Sequence, residues 1–138
     1  MVSTPEPQRL INARRFFLSY SREHVDDAVQ LLSPHVVYSV PGHSRLSGVF
    51  HGPDEVRRHI VKLIDFSRGT FEVLKWMDWM IGETHITALQ YAQAQTTGRI
   101  YRGHHIYLLE FDPDDLLSVI RVFFEDQVAA DQFFTEEG

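Results

Sequence analysis

Residues 70–125 divide into four long strand-like segments, 70–81, 84–97, 99–111 and 116–125. They are parted only by Gly82-Glu83, Gly98 and Asp112-Pro113-Asp114-Asp115. Turn residues at that spacing read as hairpin connections, so this half of the chain is an antiparallel meander. The first half has a different period. Leu10, Ala13, Phe17 and Tyr20 fall on one helical stripe, which predicts a helix over 8–20. A second helix is expected over 22–33, capped by Ser21, with Val25, Ala28, Val29 and Leu32 as its stripe and Pro34 as its stop. Val36–Val40 is β-branched and aromatic and reads as a strand. Pro53, followed by Asp54 and Glu55, opens a third helix. It carries Val56, Ile60, Leu63 and Ile64 on one face and stops at Arg68-Gly69. Residues 126–135 fit a short closing helix or an extended tail.

Helices first and a long meander last give an α+β fold. We expect a cone-shaped, curved antiparallel sheet, with three helices from the N-terminal half enclosing a hydrophobic pocket. The 138 residues fit one domain, 8–135, behind a flexible N-terminal tail at 1–7. A chain that is 43% hydrophobic and 23% charged can build a packed core. Its net charge of −6 argues against nucleic acid as a partner. Nothing basic and amphipathic points to a membrane surface, and the first residues do not read as a signal peptide. The absence of cysteine excludes disulfides, thiolate metal sites and cysteine nucleophiles, and fits a cytoplasmic protein.

The loop Pro41-Gly42-His43-Ser44-Arg45-Leu46-Ser47-Gly48-Val49-Phe50-His51-Gly52 resembles the PG-x-S-x-L-x-G-x-x-x-G stretch of SnoaL-like proteins. The segment Arg121–Phe134 resembles that family's closing signature, with an aspartate after the last strand. The resemblance covers roughly residues 8–135. It implies the nuclear transport factor two-like fold, shared with ketosteroid isomerase, scytalone dehydratase and limonene epoxide hydrolase. It also implies a homodimer formed through the exposed sheet face, and a small, hydrophobic, polyketide-like substrate. The implied function is a cofactor-independent cyclase or isomerase, of the kind used in antibiotic biosynthesis. A dehydratase, an epoxide-opening enzyme and a non-catalytic binder or interaction module stand on the same scaffold.

Asp126 is the first catalytic candidate. In SnoaL-like cyclases an aspartate at this point moves the proton during ring closure, and a carboxylate in a dry pocket suits that exchange. The competing reading is a cap on the final helix. Glu125 points to the opposite side, and Asp131 is expected on the outer, solvated face. His104 and His105 alternate across a strand, so only one faces the pocket. Pattern alone leaves that open, and the resemblance favours His105 as proton shuttle or hydrogen-bond donor. Tyr38 is a candidate donor to a carbonyl oxygen, or simply core. Phe17, Tyr20, His43, His59, Trp76, Tyr91 and Tyr107 complete the candidate substrate-binding set, each with core packing or solvent exposure as its alternative. Alternation puts Trp76 and Met80 on one face of their strand and Met77 and Trp79 on the other.

No HExxH or His-x-His occurs, so no metal site is expected. Neither a phosphate-cradling loop, a dinucleotide fingerprint nor a G-x-S-x-G elbow is present, and no cofactor is expected.

Overall fold

A computed structural model describes residues 6–135. The tail expected at 1–7 therefore lies, for its first five residues, outside the described range. Four helices pack on a single six-stranded sheet. The elements run α1 (Gln8–Leu18), α2 (Val25–Val29), β1 (Leu32–Val40), β2 (Gly48–His51), α3 (Gly52–Phe66), β3 (Glu72–Ile81), β4 (His85–Thr96), β5 (Arg99–Phe111), β6 (Leu117–Phe124) and α4 (Gln127–Thr135). The strand order is β2-β1-β6-β5-β4-β3. The expected meander is present as β3 to β6, antiparallel throughout. β1 joins it parallel to β6 and carries β2 as the edge. No helix of the described residues is long and apolar enough to cross a membrane.

Two local expectations are corrected. α2 covers only Val25–Val29, not 22–33, because Leu31 and Leu32 leave the helix to join the sheet. The Leu31 carbonyl accepts the Leu117 N–H at 2.9 Å, so the helix yields to strand pairing. Pro34 then lies inside β1, at the register shift between Leu32 and Val37, where its missing N–H breaks no ladder. On β3 two register shifts, between Val73 and Lys75 and between Trp76 and Asp78, break strict alternation. Trp76 and Trp79 thereby turn to the same side and pack at 4.6 Å.

α3 follows its sequence signals. Pro53 sits in its first turn with Asp54 and Glu55 beside it. Val56, His59, Ile60, Leu63 and Ile64 face inward. Left-handed backbone at Arg68 and Gly69 ends it, and the Gly69 N–H returns to the Ile64 carbonyl at 2.8 Å. α1 buries Leu10, Asn12, Ala13, Phe16 and Phe17. It is tied to the β5–β6 turn by Arg9 to Asp115 and by Asn12 to the Asp115 carbonyl, both at 2.9 Å.

The inner face of the meander alternates small against large. Ala88, Ala92 and Ala94 on β4 lie opposite Tyr107, Gly103 and Tyr101 on β5. Two apolar clusters result. The larger gathers α1, α2, β1 and α3 around Phe16, Tyr38, Ile60, Tyr107 and Ile120. The smaller gathers Leu46, Leu63, Ala94, Tyr101, Ala130, Phe133 and Phe134 under α4. Burying a side chain of this kind contributes about 1.5–3 kcal/mol. The candidate site occupies the seam between the clusters.

Candidate active site

The cavity at that seam takes its walls from both clusters. Tyr38, Val40, Tyr107 and Val122 come from one side, and Leu46, Leu63, Ala130 and Phe134 from the other. Its polar lining is Tyr38, Ser44, His59, His105, Tyr107 and Asp131. The cavity volume is about 30 Å³, enough to admit ordered water. Phe71 belongs both to this wall and to an open groove of about 560 Å³ between Tyr20–Glu23 and the end of α3. The groove is braced by a bidentate Arg22–Asp65 pair.

His59 enters from α3 because it falls on the Val56-Ile60-Leu63 stripe. Its ring stacks on Phe50 at 4.4 Å and leans on Tyr38 at 4.9 Å. Burial, with Lys62 adding to it, pushes its pKa down to about 3. His105 enters from β5, where Tyr101, Gly103, His105, Tyr107 and Leu109 are the buried alternation. Burial, with His104 adding to it, holds its pKa down at about 4. Both imidazoles are therefore neutral near pH 7. In each, Nδ1 is fully buried with no partner among the described residues. The Gln90 Oε1, on β4 directly across from His105, shares that condition. Buried polar atoms are nearly always paired, so three orphans in one region mark a place prepared for a ligand or water.

Phenols supply the remaining polarity. The Tyr38 and Tyr20 hydroxyls lie 3.0 Å apart, and Tyr107 joins them through Tyr38. Burial first, then their mutual proximity, holds all three well above the ordinary phenol range. They are donors, not bases, at any ordinary pH.

The sequence candidates thus separate. Tyr38, His59, His105 and Tyr107 meet in the cavity, and Tyr20 reaches it through the Tyr38 hydroxyl. Phe17 lies behind Tyr107 at 4.7 Å as core, with Trp76 packed on it at 5.2 Å. Tyr91 lies on the other face of the sheet against His104, and His43 is exposed in its loop. Asp126 is exposed and outside the lining. Its Oδ1 accepts the Ala129 N–H at 3.0 Å, so this carboxylate caps α4. The carboxylate that does line the cavity is Asp131, expected on the solvated face. One helical turn inward from the cap, its Oδ1 accepts from Gln127 Nε2 at 2.9 Å. Gln127, Ala130, Asp131 and Phe134 have i, i+3, i+4, i+7 spacing, a stripe legible once 126–135 is taken as helix. Gly42 lets the 41–47 loop close on that face, since a Cβ there would stand 2.2 Å from Asp131 Oδ1. Glu125 turns outward to His104 Nδ1 at 2.9 Å, as alternation requires. Arg121 is exposed and stacks on Phe123, and no arginine lines the cavity. Sequence reasoning passed over Tyr101, whose hydroxyl lies 2.8 Å from His105 Nε2. Its signal was the two-residue alternation it shares with His105 and Tyr107.

A family model described as a SnoaL-like domain matches residues 13–119. No curated protein matches the chain in sequence. A protein of unknown function with a cystatin-like fold from Xanthomonas campestris is 22% identical, with a TM-score of 0.84 over 93% of this chain and 98% of that one. An NTF2-like protein from Burkholderia xenovorans is 13% identical, with a TM-score of 0.77 over 93% of this chain and 96% of that one. SalBIII, an epoxide hydrolase/cyclase-like enzyme in pyran ring formation of the polyether salinomycin, is 12% identical. Its TM-score is 0.72 over 88% of this chain and 93% of that one. At such identities these likenesses speak to the fold.

Proposed function

Because the chain belongs to the SnoaL-like domain family, we propose that it is a cofactor-independent cyclase or isomerase closing a ring in an uncharged, polyketide-like keto substrate. The observation that carries this reading is one largely apolar cavity lined by two neutral imidazoles, whose Nδ1 atoms are buried and unpartnered among the described residues, beside the Tyr38 phenol. Such a cavity suits a molecule that is apolar in body and carries carbonyl oxygens.

Asp131 is the base in this reading. It takes a proton from the carbon beside one carbonyl, and the enolate oxygen that forms is met by the Tyr38 hydroxyl and by His105. The carbanion forms a carbon–carbon bond to a second carbonyl, whose oxygen recovers the proton from Asp131. Atoms and charge balance without oxidant or leaving group. The apolar walls fold the substrate, and positioning of this kind is worth about 7–11 kcal/mol in favourable cases. The groove shares Phe71 with this small cavity, and in this reading the rest of the substrate lies along it. SalBIII, by its description a cyclase-like enzyme of pyran formation, lends the ring-closure reading support from the same fold.

A dehydratase is the second reading. His59 favours it, since it joins His105 in the cavity from a separate element and gives elimination two imidazoles. Product mass separates the two, because cyclisation conserves it and dehydration loses one water.

The test is a thermal-shift series with steroids, aromatic polyketides and linear polyene ketones, followed by mass analysis of incubated hits. A ligand at a hundred times its dissociation constant is expected to add about 2.7 kcal/mol of stability. Binding without any product would leave a carrier of hydrophobic metabolites in place of an enzyme. Silence across the panel in both readouts would sink the keto-substrate reading.

A homodimer through the outer sheet face belongs to the same proposal. Met77, Ile106 and Phe123 expose 43% each there and border an open apolar trough with Leu89. Apolar side chains rimmed by His104 and Glu125 have the make-up of an interaction surface. Replacing both Ile106 and Phe123 with Lys is expected to yield a monomer by sedimentation velocity without changing the far-UV spectrum. An unchanged dimer would place the contact elsewhere.

A further inference from the structure

His105 has two ring nitrogens and one partner. Nε2 lies 2.8 Å from the Tyr101 hydroxyl, the two rings stack at 5.8 Å and 17°, and Nδ1 is buried and alone. The strand arranges this pairing. Tyr101 and His105 share the inner face of β5 with Gly103 between them. A Cβ on Gly103 would stand 2.7 Å from the Tyr101 hydroxyl oxygen, so the phenol crosses the glycine to reach the imidazole. Any larger residue at 103 obstructs that path.

The direction of the bond follows from counting groups. If Nε2–H donated to the phenol oxygen, the Tyr101 O–H would point at no acceptor among the described residues, and Nδ1 would be a bare buried lone pair. If the phenol donates to Nε2, the Nδ1–H alone lacks a partner. Fewer orphaned groups is the better arrangement, since each forfeits its hydration. Charge agrees with it. Burial first, then the neighbouring Asp126 and Glu125 carboxylates, raises the Tyr101 pKa and keeps the proton on the phenol.

We propose that Tyr101 is a positioning residue that fixes His105 as its Nδ1–H tautomer, so that the imidazole meets the substrate as a hydrogen-bond donor and not as a base. Its catalytic meaning rests on the ring-closure reading above, and it narrows the substrate. Tyr38 and His105 then both donate at this end of the cavity. The ligand must place an acceptor there, a ketone or enolate oxygen, and an amine or ammonium group is disfavoured. Proton abstraction falls to Asp131.

The experiment is a long-range proton–nitrogen correlation on protein labelled with nitrogen-15 histidine at neutral pH. His105 is assigned by the signal lost in His105→Gln. The expected wild-type pattern has the proton on Nδ1 and a lone pair on Nε2. Tyr101→Phe is expected to move His105 wholly or partly to the Nε2–H form. Gly103→Ala keeps the hydroxyl but blocks its path, and is expected to do the same; it serves if Tyr101→Phe does not fold. An Nε2–H ring in the wild type overturns the proposal, as does an unchanged Nδ1–H ring in a folded variant. None of these readouts uses a substrate. A panel without ligands would therefore remove the ring-closure reading and leave the tautomer standing, and a wrong tautomer would do the reverse.

Discussion

Acidification from pH 7 to pH 4 is expected to cost this chain about 5 kcal/mol of folding stability, through its two buried imidazoles. An unfolded histidine titrates near 6.5. In the fold His105 titrates at about 4 and His59 at about 3, chiefly because burial disfavours the charged ring. Both folded-state values are depressed, so between these values and 6.5 the unfolded chain binds protons that the native chain refuses. The contribution is fully present above pH 6.5. It is lost as pH falls, down to about 4 for His105 and about 3 for His59. Each ring gives a slope of about 1.4 kcal/mol per pH unit within its window. Over two to three units that approaches the ~5–15 kcal/mol that holds a typical domain together. Urea midpoints at pH 7, 5.5 and 4 measure it. The double variant His59→Gln, His105→Gln keeps both sites uncharged and is expected to flatten the dependence. A wild-type midpoint that holds steady from pH 6.5 to 4.5 would mean that these rings are not neutral and buried.

What the sequence allowed one to read follows where local signals outweighed tertiary ones. The β3–β6 meander was legible because glycine and Asp-Pro turns cut it at the right places and β5 alternates without interruption. The same alternation selected His105 over His104 once the buried side was known, and it put Glu125 outside. α3 was legible from Pro53, its acidic first turn and the Arg68-Gly69 stop. The losses have physical causes. α2 is short because the Leu31–Leu117 pairing, 86 positions apart in the chain, competes with a weak helix. The two tryptophans of β3 share a side because bulges shift the period, and nothing in Trp76-Met77-Asp78-Trp79 announces a bulge. Tyr101 was missed because its hydroxyl acts across Gly103, a contact that needs the missing side chain to be seen as space. Asp126 stood closest to the family's aspartate in the sequence. Its position as the residue before Gln127, the first of α4, makes it a cap and hands the cavity to Asp131.

That exchange of carboxylates carries the second large effect. Asp131→Asn is expected to lower turnover by about 10²–10⁴, the usual worth of a positioned acid/base group. The amide keeps the shape and still accepts from Gln127 Nε2, which now meets Asp131 Oδ1 at 2.9 Å, so the loss falls on kcat more than on KM. Asp126→Asn is expected to leave turnover within a few-fold. Asparagine caps a helix about as well as aspartate, and the lost charge at the α4 N-terminus is worth about 0.3–1 kcal/mol of stability. Steady-state kinetics of both variants on one substrate from the panel, beside their melting points, make the comparison. The reverse ranking would return the base to Asp126 and require α4 to move before chemistry. Full activity in both would leave ring closure to the walls and the donors alone, with Tyr38 and His105 polarising a substrate that the cavity has already folded.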